Sequence, residues 1–473
     1  MPVLPVESRH LVNRFSYGIT PALAEEVRAA GGHLAWFDQQ LDTAHDGSAD
    51  GLCDWWPDLH LDAVTLWQRN VSGVRSGSSV MWDYGRRSVL RRLTSPRPVL
   101  EVMHEFWENH FHVPIIADNI FPLRAPYGDV IRKHALGRFE DLLTEAVLHP
   151  AMLMYLGAAT STKLHPNENL GRELLELHTV GVGNYSEAEV KDAARILTGW
   201  RVDLYRTWSP SYSNVDHWLG PVSVMGFSAA NLLPDGREVT RALLSHLAHH
   251  PATARRIANK LVRQFVSDVP SEPLVGRLAA TYLANDTAIA PVLRELVGSA
   301  EFAASVDQKL RDPDEDVIAT YRLLGASVAP PTGDSSAANQ VYWTLYSLGL
   351  APWNWPRPDG QPVDAVSWSS PSRALASMSF HWWLAGGQVG ATDVSFPTPV
   401  SHLPQRKILL RDLVDHLSRQ LLHRPATKVL VQACCEAVEL DPKTIVTRRT
   451  DLFTWRWQRL VAAILDSPSF YHH

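Results

Sequence analysis

Cysteine is scarce in this chain of 473 residues, which contains three, and Cys434 and Cys435 are adjacent. Adjacent cysteines are poorly placed to bridge each other, so a disulfide scaffold is excluded. Long apolar runs are missing as well, since no stretch approaches the roughly 18 residues that a membrane span needs. Residues 1–14 contain prolines and charges where a secretory signal needs an apolar segment, so a cytoplasmic location is expected.

An excess of basic charge is also lacking. The 44 Lys and Arg residues stand against 50 Asp and Glu residues, which gives a net charge of −6. Nucleic acids and anionic membranes bind basic surfaces, so neither is expected as a partner. There is no phosphate-binding glycine loop, Gly-x-Ser-x-Gly elbow, paired-cysteine motif or His-Glu-x-x-His. Nucleotide, acyl-enzyme, zinc-finger, c-type haem and zincin chemistry therefore lose support.

Helical periodicity dominates the sequence that is present. Apolar residues recur three and four positions apart before residue 200 and again after Val239. Two stretches rich in Trp and Pro interrupt the pattern, and the first contains a strand-like segment at Val222–Phe227. The sequence predicts a mainly α protein. Its expected form is a multi-helical orthogonal bundle with two long Trp/Pro-rich loop regions and room for one small β-hairpin.

The same pattern divides the chain into five regions. We expect an N-terminal helical region with polar motifs at 1–200, an irregular Trp/Tyr-rich loop or hairpin at 201–238, a helical unit at 239–328, a Pro/Trp-rich irregular cover at 329–403, and a C-terminal helical unit at 404–473. Both helical units of the second half contain Pro-Ala-Thr and later Ser-x-x-Phe, which ends at Phe302 and at Phe470. The last unit is therefore a candidate repeat of 239–328, although Pro-Ala is also a common helix start.

The first polar motif is Glu101–Val113, which carries three histidines and three glutamates. On a helix with about 100° per residue, these groups separate onto two faces and cannot form one ligand set. His110 falls in the middle of the apolar face, where an imidazole needs a partner. It is either a core histidine held by one hydrogen bond or a functional group. Four members fall on the opposite face, which is expected to be solvated: Glu101, Glu105, Glu108 and His112.

The second polar motif is His165–Gly181. Asn167 is a suitable N-cap, and His178 falls on the leucine side of the predicted helix. The simplest interpretation of the polar side is a solvated face on which Arg172 pairs with glutamates four residues away. Beyond this motif, Arg195 and Trp200 end a further helix, and His217 is a lone histidine in a loop. The polar side forms a single stripe: Asn169, Arg172, Glu173 and Glu176.

The sequence resembles the large bacterial family called domain of unknown function 1800, over nearly the whole chain. The matching segments include Phe106–Phe111, Pro166–Leu177, Gly181–Gly183, Lys260–Val266 and Trp355–Trp368. The resemblance implies a shared fold and a shared polar set but supplies no activity. Family members usually have phenylalanine at the position of His178 and often lack a histidine at that of His112. These two histidines are therefore expected to be bystanders.

The resemblance changes the interpretation of the polar stripe, because its members fall in motif positions. We expect the stripe to face inward and to meet His110 in a polar pocket. The Trp-rich loops would close over this pocket and exclude water, which strengthens electrostatic interactions. The stripe residues Glu173, Glu176, Arg172 and Asn169 are then the candidate catalytic residues. Four more motif residues are candidate ligand contacts: Asn109, Asn167, Arg195 and Trp200.

Three functions follow from this pocket, and an enzyme acting on a small molecule is favoured. In a metal-assisted enzyme, His110, Glu173, Glu176 and His217 would hold a divalent iron, manganese or zinc ion, and Arg172 would bind an anionic substrate. In a metal-free hydrolase of saccharide-like ligands, the two glutamates would act as acid and base. In a non-enzymatic scaffold or binding protein, the stripe would be a structural buried salt-bridge network. The sequence indicates no particular protein partner.

Overall fold

The computed structural model describes residues 3–42, 55–333, 336–387 and 390–473. The protein is 58% helical, which confirms the prediction of a mainly α fold. The helices before the first interruption are α1 (Val6–Arg14), α2 (Pro21–Ala29), α3 (His33–Asp42), α4 (Ala63–Val71), α5 (Gly77–Thr94), α6 (Pro98–His110), α7 (Phe121–His134), α8 (Phe139–Val147), α9 (Pro150–Tyr155), α10 (Glu168–Glu173) and α11 (Glu187–Ile196).

Helices resume at Arg237 and continue to the end of the chain. The middle group is α12 (Arg237–Ala248), α13 (Pro251–Phe265), α14 (Glu272–Ala284), α15 (Ile289–Val297), α16 (Ala300–Ala304), α17 (Pro313–Leu323), α18 (Ala337–Ser347), α19 (Ala365–Trp368) and α20 (Pro371–Ala385). The C-terminal group is α21 (Leu410–Leu421), α22 (Lys428–Val438), α23 (Trp455–Leu465) and α24 (Pro468–Tyr471). None of the helices in the described ranges has the length and apolar character needed to cross a membrane.

The strands of the described residues form small antiparallel pairs. They are β1 (Trp200–Val202) with β2 (Pro210–Tyr212), β3 (Val222–Val224) with β4 (Phe227–Ala229), β5 (Ser327–Val328) with β6 (Val394–Ser395), and β7 (Ile408–Leu409) with β8 (Ile445–Val446). The hairpin expected around Val222–Phe227 is thus present as β3 and β4. The β1–β2 pair in the same stretch has no predicted counterpart.

The region 329–403, predicted to be an irregular cover, contains the helices α18, α19 and α20 between irregular segments. The prolines and tryptophans that suggested a loop are compatible with helices here. Pro371 occupies the first turn of α20, where its missing N–H costs nothing. Ser370 caps the same helix by accepting a hydrogen bond from the backbone N–H of Arg373 at 3.2 Å.

Two hydrophobic cores organise the molecule. The larger core draws on residues from Leu4 to Leu384, and the smaller core is centred on α21–α24. The buried imidazole of His381 joins them, since it contacts Asp316 at 2.9 Å and Asp466 at 2.7 Å. Burial alone lowers the pKa of His381, but these carboxylates raise it to about 9. A charged histidine therefore connects the two cores at neutral pH.

Both candidate repeat units end in the same way. Ser299 caps the short helix α16, whose Phe302 is buried, and Ser467 stands in the same position before α24, whose Phe470 is buried. The first unit contains the helices α12–α17, whereas the C-terminal unit contains only α21–α24. The five predicted region boundaries and the proposed repeat stay predictions.

The face of α6 that was expected to be solvated is buried, so that prediction is wrong. Glu101 and Glu108 are 2% and 0% exposed. The guanidinium of Arg132 pairs with Glu101 at 2.7 Å, and that of Arg124 pairs with Glu108 at 2.7 Å. Both arginines belong to α7, which packs along this face of α6. A helical wheel cannot indicate that a neighbouring helix will supply the compensating cations.

Candidate functional site

Two buried histidines connect α6 to the turn that follows α10. The chain continues after α10 as a π-helical turn, Leu174–His178, so His178 lies close to the end of α6. His110 Nε2 donates to the carbonyl oxygen of His178 at 3.0 Å, and His178 Nδ1 donates to that of His110 at 3.2 Å. Burial lowers the pKa of both imidazoles, so both are neutral. His178, which was expected to be a bystander, therefore has a defined structural contact with His110.

Lys260 of α13 completes this junction. Its Nζ lies 2.9 Å from His110 Nδ1. Because Nε2 of the neutral His110 ring carries the proton, Nδ1 is the acceptor and Lys260 is the donor. Burial and the nearby Arg256 lower the pKa of Lys260 to about 7, although Asp359 opposes the shift. Both the charged and the neutral form of the amine are thus populated near neutral pH.

His110 and Lys260 line an open cleft of about 910 Å³. One wall is the C-terminal end of α6 with the loop after the π turn, and the second wall is α13. The third wall belongs to the predicted cover and runs from Trp355 to Ser367. The polar and charged residues that line the cleft include Asn109, His110, Asn184, Arg255, Arg256, Asn259, Lys260, Arg263, Gln264, Glu272, Arg357, Asp359, Gln361 and Asp364.

The electrostatics of the cleft favour an anion. Arg255 is neutralised by Glu272, and Arg357 pairs with Asp359 at 3.1 Å. In the part of the chain that the structure describes, Arg256 and Lys260 have no carboxylate within ion-pair distance. The Arg256 Nε–H instead donates to the main-chain oxygen of Leu177 at 3.2 Å. The charge of Glu176 acts on Arg256 and that of Asp359 acts on Lys260, but only from beyond ion-pair distance. The two basic side chains therefore produce a positive potential on their side of the cleft.

The third wall is attached to α6 through main-chain atoms. The Asn109 side chain donates to the Gln361 carbonyl oxygen at 3.0 Å and accepts from the Gln361 N–H at 2.6 Å. His112 Nε2 donates to the carbonyl oxygen of Trp355 at 2.7 Å. Gly360 has φ +78°, and a Cβ there would overlap the Asn109 carbonyl oxygen. His112 therefore has a definite contact, contrary to the bystander expectation.

None of the four residues of the predicted polar stripe is among the described residues that line the cleft with His110. Asn169 is exposed, and Arg172 forms a two-fold ion pair with Glu187 at 2.7 Å. Glu176 accepts a hydrogen bond from Tyr185. The half-buried Glu173 has a raised pKa, because burial and then the charge of Glu176 disfavour its ionised form.

The four candidate metal ligands are not brought together either. Both ring nitrogens of His110 already have partners. His217 is buried elsewhere, where Nδ1 contacts the Thr198 carbonyl oxygen at 3.0 Å and Nε2 contacts Asn231 Oδ1 at 2.9 Å. Within the described ranges, the one cluster with metal-ligand spacing contains none of the four candidates. It consists of Glu140, His249 and Asp286.

The remaining candidate ligand contacts have structural partners away from the cleft. Asn167 caps α10 by accepting from the Asn169 N–H at 2.9 Å, as predicted. Arg195 pairs with Asp192 at 2.7 Å, and its guanidinium lies 4.7 Å from the ring centre of Trp218. Trp200 is buried at the start of β1 and donates to Thr240 Oγ1 at 3.2 Å.

Sequence reasoning assigned no role to Lys260 or Arg256. A signal was present, because residues 256, 260 and 264 lie four apart on α13 and all face the cleft. A polar row on one side of an otherwise apolar helix usually indicates a solvated face. The row formed by residues 256, 260 and 264 differs from such a solvated face only because it lies opposite His110.

The chain matches the family model described as "Protein of unknown function (DUF1800)" over residues 10–472. No curated protein and no solved structure matches it. Segments by which the sequence resembles this family, around His110, Gly181, Lys260 and Gly360, meet at the cleft. Since the match covers nearly the whole chain, the protein belongs to the DUF1800 family.

Proposed function

We propose that the protein is an enzyme that binds a small anionic molecule in the cleft between α6, α13 and the 355–367 wall. Lys260 would act on the bound molecule as a proton-transferring or nucleophilic amine. The observation that carries the proposal is the position of the Lys260 amine. It donates to a neutral imidazole at 2.9 Å, next to an arginine without a carboxylate partner. Lysines of this kind act as bases or nucleophiles in enzymes.

Isothermal titration calorimetry with sulfate and oxalate at constant ionic strength tests the binding step. Arg256→Gln is expected to weaken binding about tenfold or more, since a charge-assisted hydrogen bond is worth about 1.5–3 kcal/mol. Arg241→Gln, on the exposed side of α12, is the matched control and should bind as the unmodified protein does. Equal affinities in all three proteins, or no binding, would contradict the proposal.

Metal assistance through His110, Glu173, Glu176 and His217 stays a prediction. Elemental analysis of the purified protein, followed by re-addition of iron, manganese or zinc to chelator-treated protein, tests it. A bound metal that is lost in Glu176→Gln would support this set of ligands. Background metal and no effect of re-addition would remove it.

Metal-free hydrolysis of a saccharide-like ligand has support at Glu173. Its raised pKa is the property required of a general acid in glycoside cleavage. If this function holds, Glu173→Gln should abolish release of nitrophenol from aryl glycosides and leave sulfate binding unchanged. Activity that persists in Glu173→Gln would exclude it.

A further inference from the structure

We propose that Lys260 forms a covalent imine with a small anionic carbonyl compound, of which 2-oxo acids are the simplest class. The proposal rests on the proposed function, because it assigns a substrate class to the same cleft. It concerns the bond that the amine makes, whereas the proposed function concerns anion binding.

Comparison with Lys309 shows what is unusual about Lys260. The Lys309 amine pairs with the Asp268 carboxylate and donates to the carbonyl oxygens of Arg263 and Val363, each at 3.0 Å. Three acceptors, one of which is the Asp268 carboxylate, therefore surround the Lys309 amine. Lys260 has a neutral imidazole nitrogen as its partner and no carboxylate within ion-pair distance in the described ranges. Its surroundings therefore stabilise the charged form only through the more distant Asp359.

Only the neutral amine attacks a carbonyl carbon, so the protonation equilibrium matters. Burial is the main cause that lowers the pKa of Lys260 to about 7, and the positive charge of Arg256 adds to it. A large fraction of the amine is consequently neutral under ordinary conditions. His178 fixes the ring of His110, whose Nδ1 accepts one N–H of the amine. The amine lone pair then remains available on the cleft side.

Arg256 is placed to hold the anionic group of the same compound. It precedes Lys260 by one helical turn, and side chains four residues apart on a helix are separated by about 5–6 Å at Cβ. A carboxylate bound to the Arg256 guanidinium would bring the adjacent carbonyl carbon of a 2-oxo acid within reach of the Lys260 amine. Planar carboxylates match the guanidinium fork well.

The covalent step balances without a further redox partner. The nitrogen lone pair of Lys260 forms a C–N bond while the carbonyl π electrons move to oxygen. The oxygen takes one proton from the attached nitrogen and one from solvent. The C–O bond then breaks, water leaves, and a positively charged imine remains.

Reductive trapping tests the proposal on the full-length protein. Glyoxylate and cyanoborohydride are added at neutral pH, and the modified lysine is identified by peptide mass spectrometry. We expect preferential carboxymethylation of Lys260, no comparable labelling of Lys309, and inhibition by sulfate. Lys260→Arg should remove this adduct, and Arg256→Gln should slow its formation about tenfold in parallel with weaker anion binding. Propanal, a neutral aldehyde, should label Lys260 more slowly than glyoxylate.

The outcomes separate the two proposals. Sulfate binding without preferential labelling of Lys260 overturns the imine and leaves the anion-binding function standing. Loss of both overturns both proposals. Labelling of Lys260 by propanal as fast as by glyoxylate overturns the assignment to anionic carbonyl compounds. Unchanged thermal unfolding of the Lys260→Arg and Arg256→Gln variants ensures that a lost signal reflects the cleft.

Discussion

His110 and His178 each donate a ring N–H to the main-chain carbonyl oxygen of the other residue, at 3.0 and 3.2 Å. Two backbone segments that are 68 residues apart are thereby joined at the base of the cleft. The exchange also determines the tautomer of His110, because Nε2 is the donor and Nδ1 is left as an acceptor. The orientation of the Lys260 amine follows from this exchange.

Binding of sulfate should depend on pH through Lys260. The ammonium form predominates below its pKa of about 7, so affinity is expected to fall as the pH rises from about 6 to about 8. The fall approaches tenfold, because the charged fraction decreases by that factor over two units centred on the pKa. Neither His110 nor His178 changes charge in this interval, since their pKa values are lowered far below it. Calorimetry on Lys260→Met should show a flat profile, and a persisting slope would assign the dependence to another group.

Gly360→Ala should loosen the third wall of the cleft. The residue has φ +78°, and an added Cβ would overlap Asn109. We expect about 1–3 kcal/mol of destabilisation by urea unfolding, together with weaker oxalate binding. Gly276→Ala within α14 is the control, since nothing lies within 4 Å of its added Cβ. Equal free energies of unfolding and equal oxalate affinities in the two variants would show that the third wall is not held at Gly360.

Glu108→Gln should be strongly destabilising. Its carboxylate is fully buried against Arg124, and removal of one member of a buried ion pair typically costs about 3–5 kcal/mol. Glu187→Gln removes an exposed partner of Arg172 and should destabilise the protein far less, because solvent screens an exposed ion pair. Urea unfolding of both variants measures the difference. A small effect at Glu108 would mean that Arg124 finds another partner.

His381 should make stability depend on alkaline pH. Its pKa in the folded protein is about 9, above the unfolded value of 6.5, so its contribution is complete below about pH 6.5 and disappears as the pH rises through 9. The contribution is on the order of 3 kcal/mol. The free energy of unfolding should therefore decrease between these pH values in the unmodified protein and much less in His381→Asn.

His423 is a control, because its pKa is shifted in the opposite direction from that of His381. Burial lowers its pKa to about 4, so its effect on stability appears only as the pH falls from 6.5 toward 4. His423→Asn should leave the alkaline decrease in place. Loss of that decrease in His423→Asn would contradict the assignment to His381.

Local patterns in the sequence predicted the local structure well. Asn167 caps α10, His178 faces the leucine side, and strands form at Val222–Val224 because each of these depends on a few neighbouring residues. The burial of Glu108 depends on a cation from another helix, and no local pattern contains that information. The role of Lys260 depends on a histidine that is 150 residues away.

The orientation of the polar stripe differs from the predicted one for a more specific reason. A wheel with 100° per residue assumes a regular α-helix, but the chain forms a π-helical turn from Leu174. A wider turn advances each residue by a smaller angle, so positions after Glu173 no longer align with those before it. This shift concerns Glu176, which contacts Tyr185, whereas Asn169 and Arg172 precede the turn and are oriented by α10 itself.

The hydrogen bonds from the side chains of Asn109 and His112 to the third wall of the cleft end on the peptide groups of Gln361 and Trp355, not on the side chains of these two wall residues. Replacing the side chain of Gln361 or Trp355 leaves the hydrogen-bonded peptide groups of these residues chemically intact. Attachment of the third wall and selectivity for a ligand are thus separable in this architecture. The side chains of the wall that contact a ligand can change during evolution or engineering while the main-chain hydrogen bonds that hold the wall are kept.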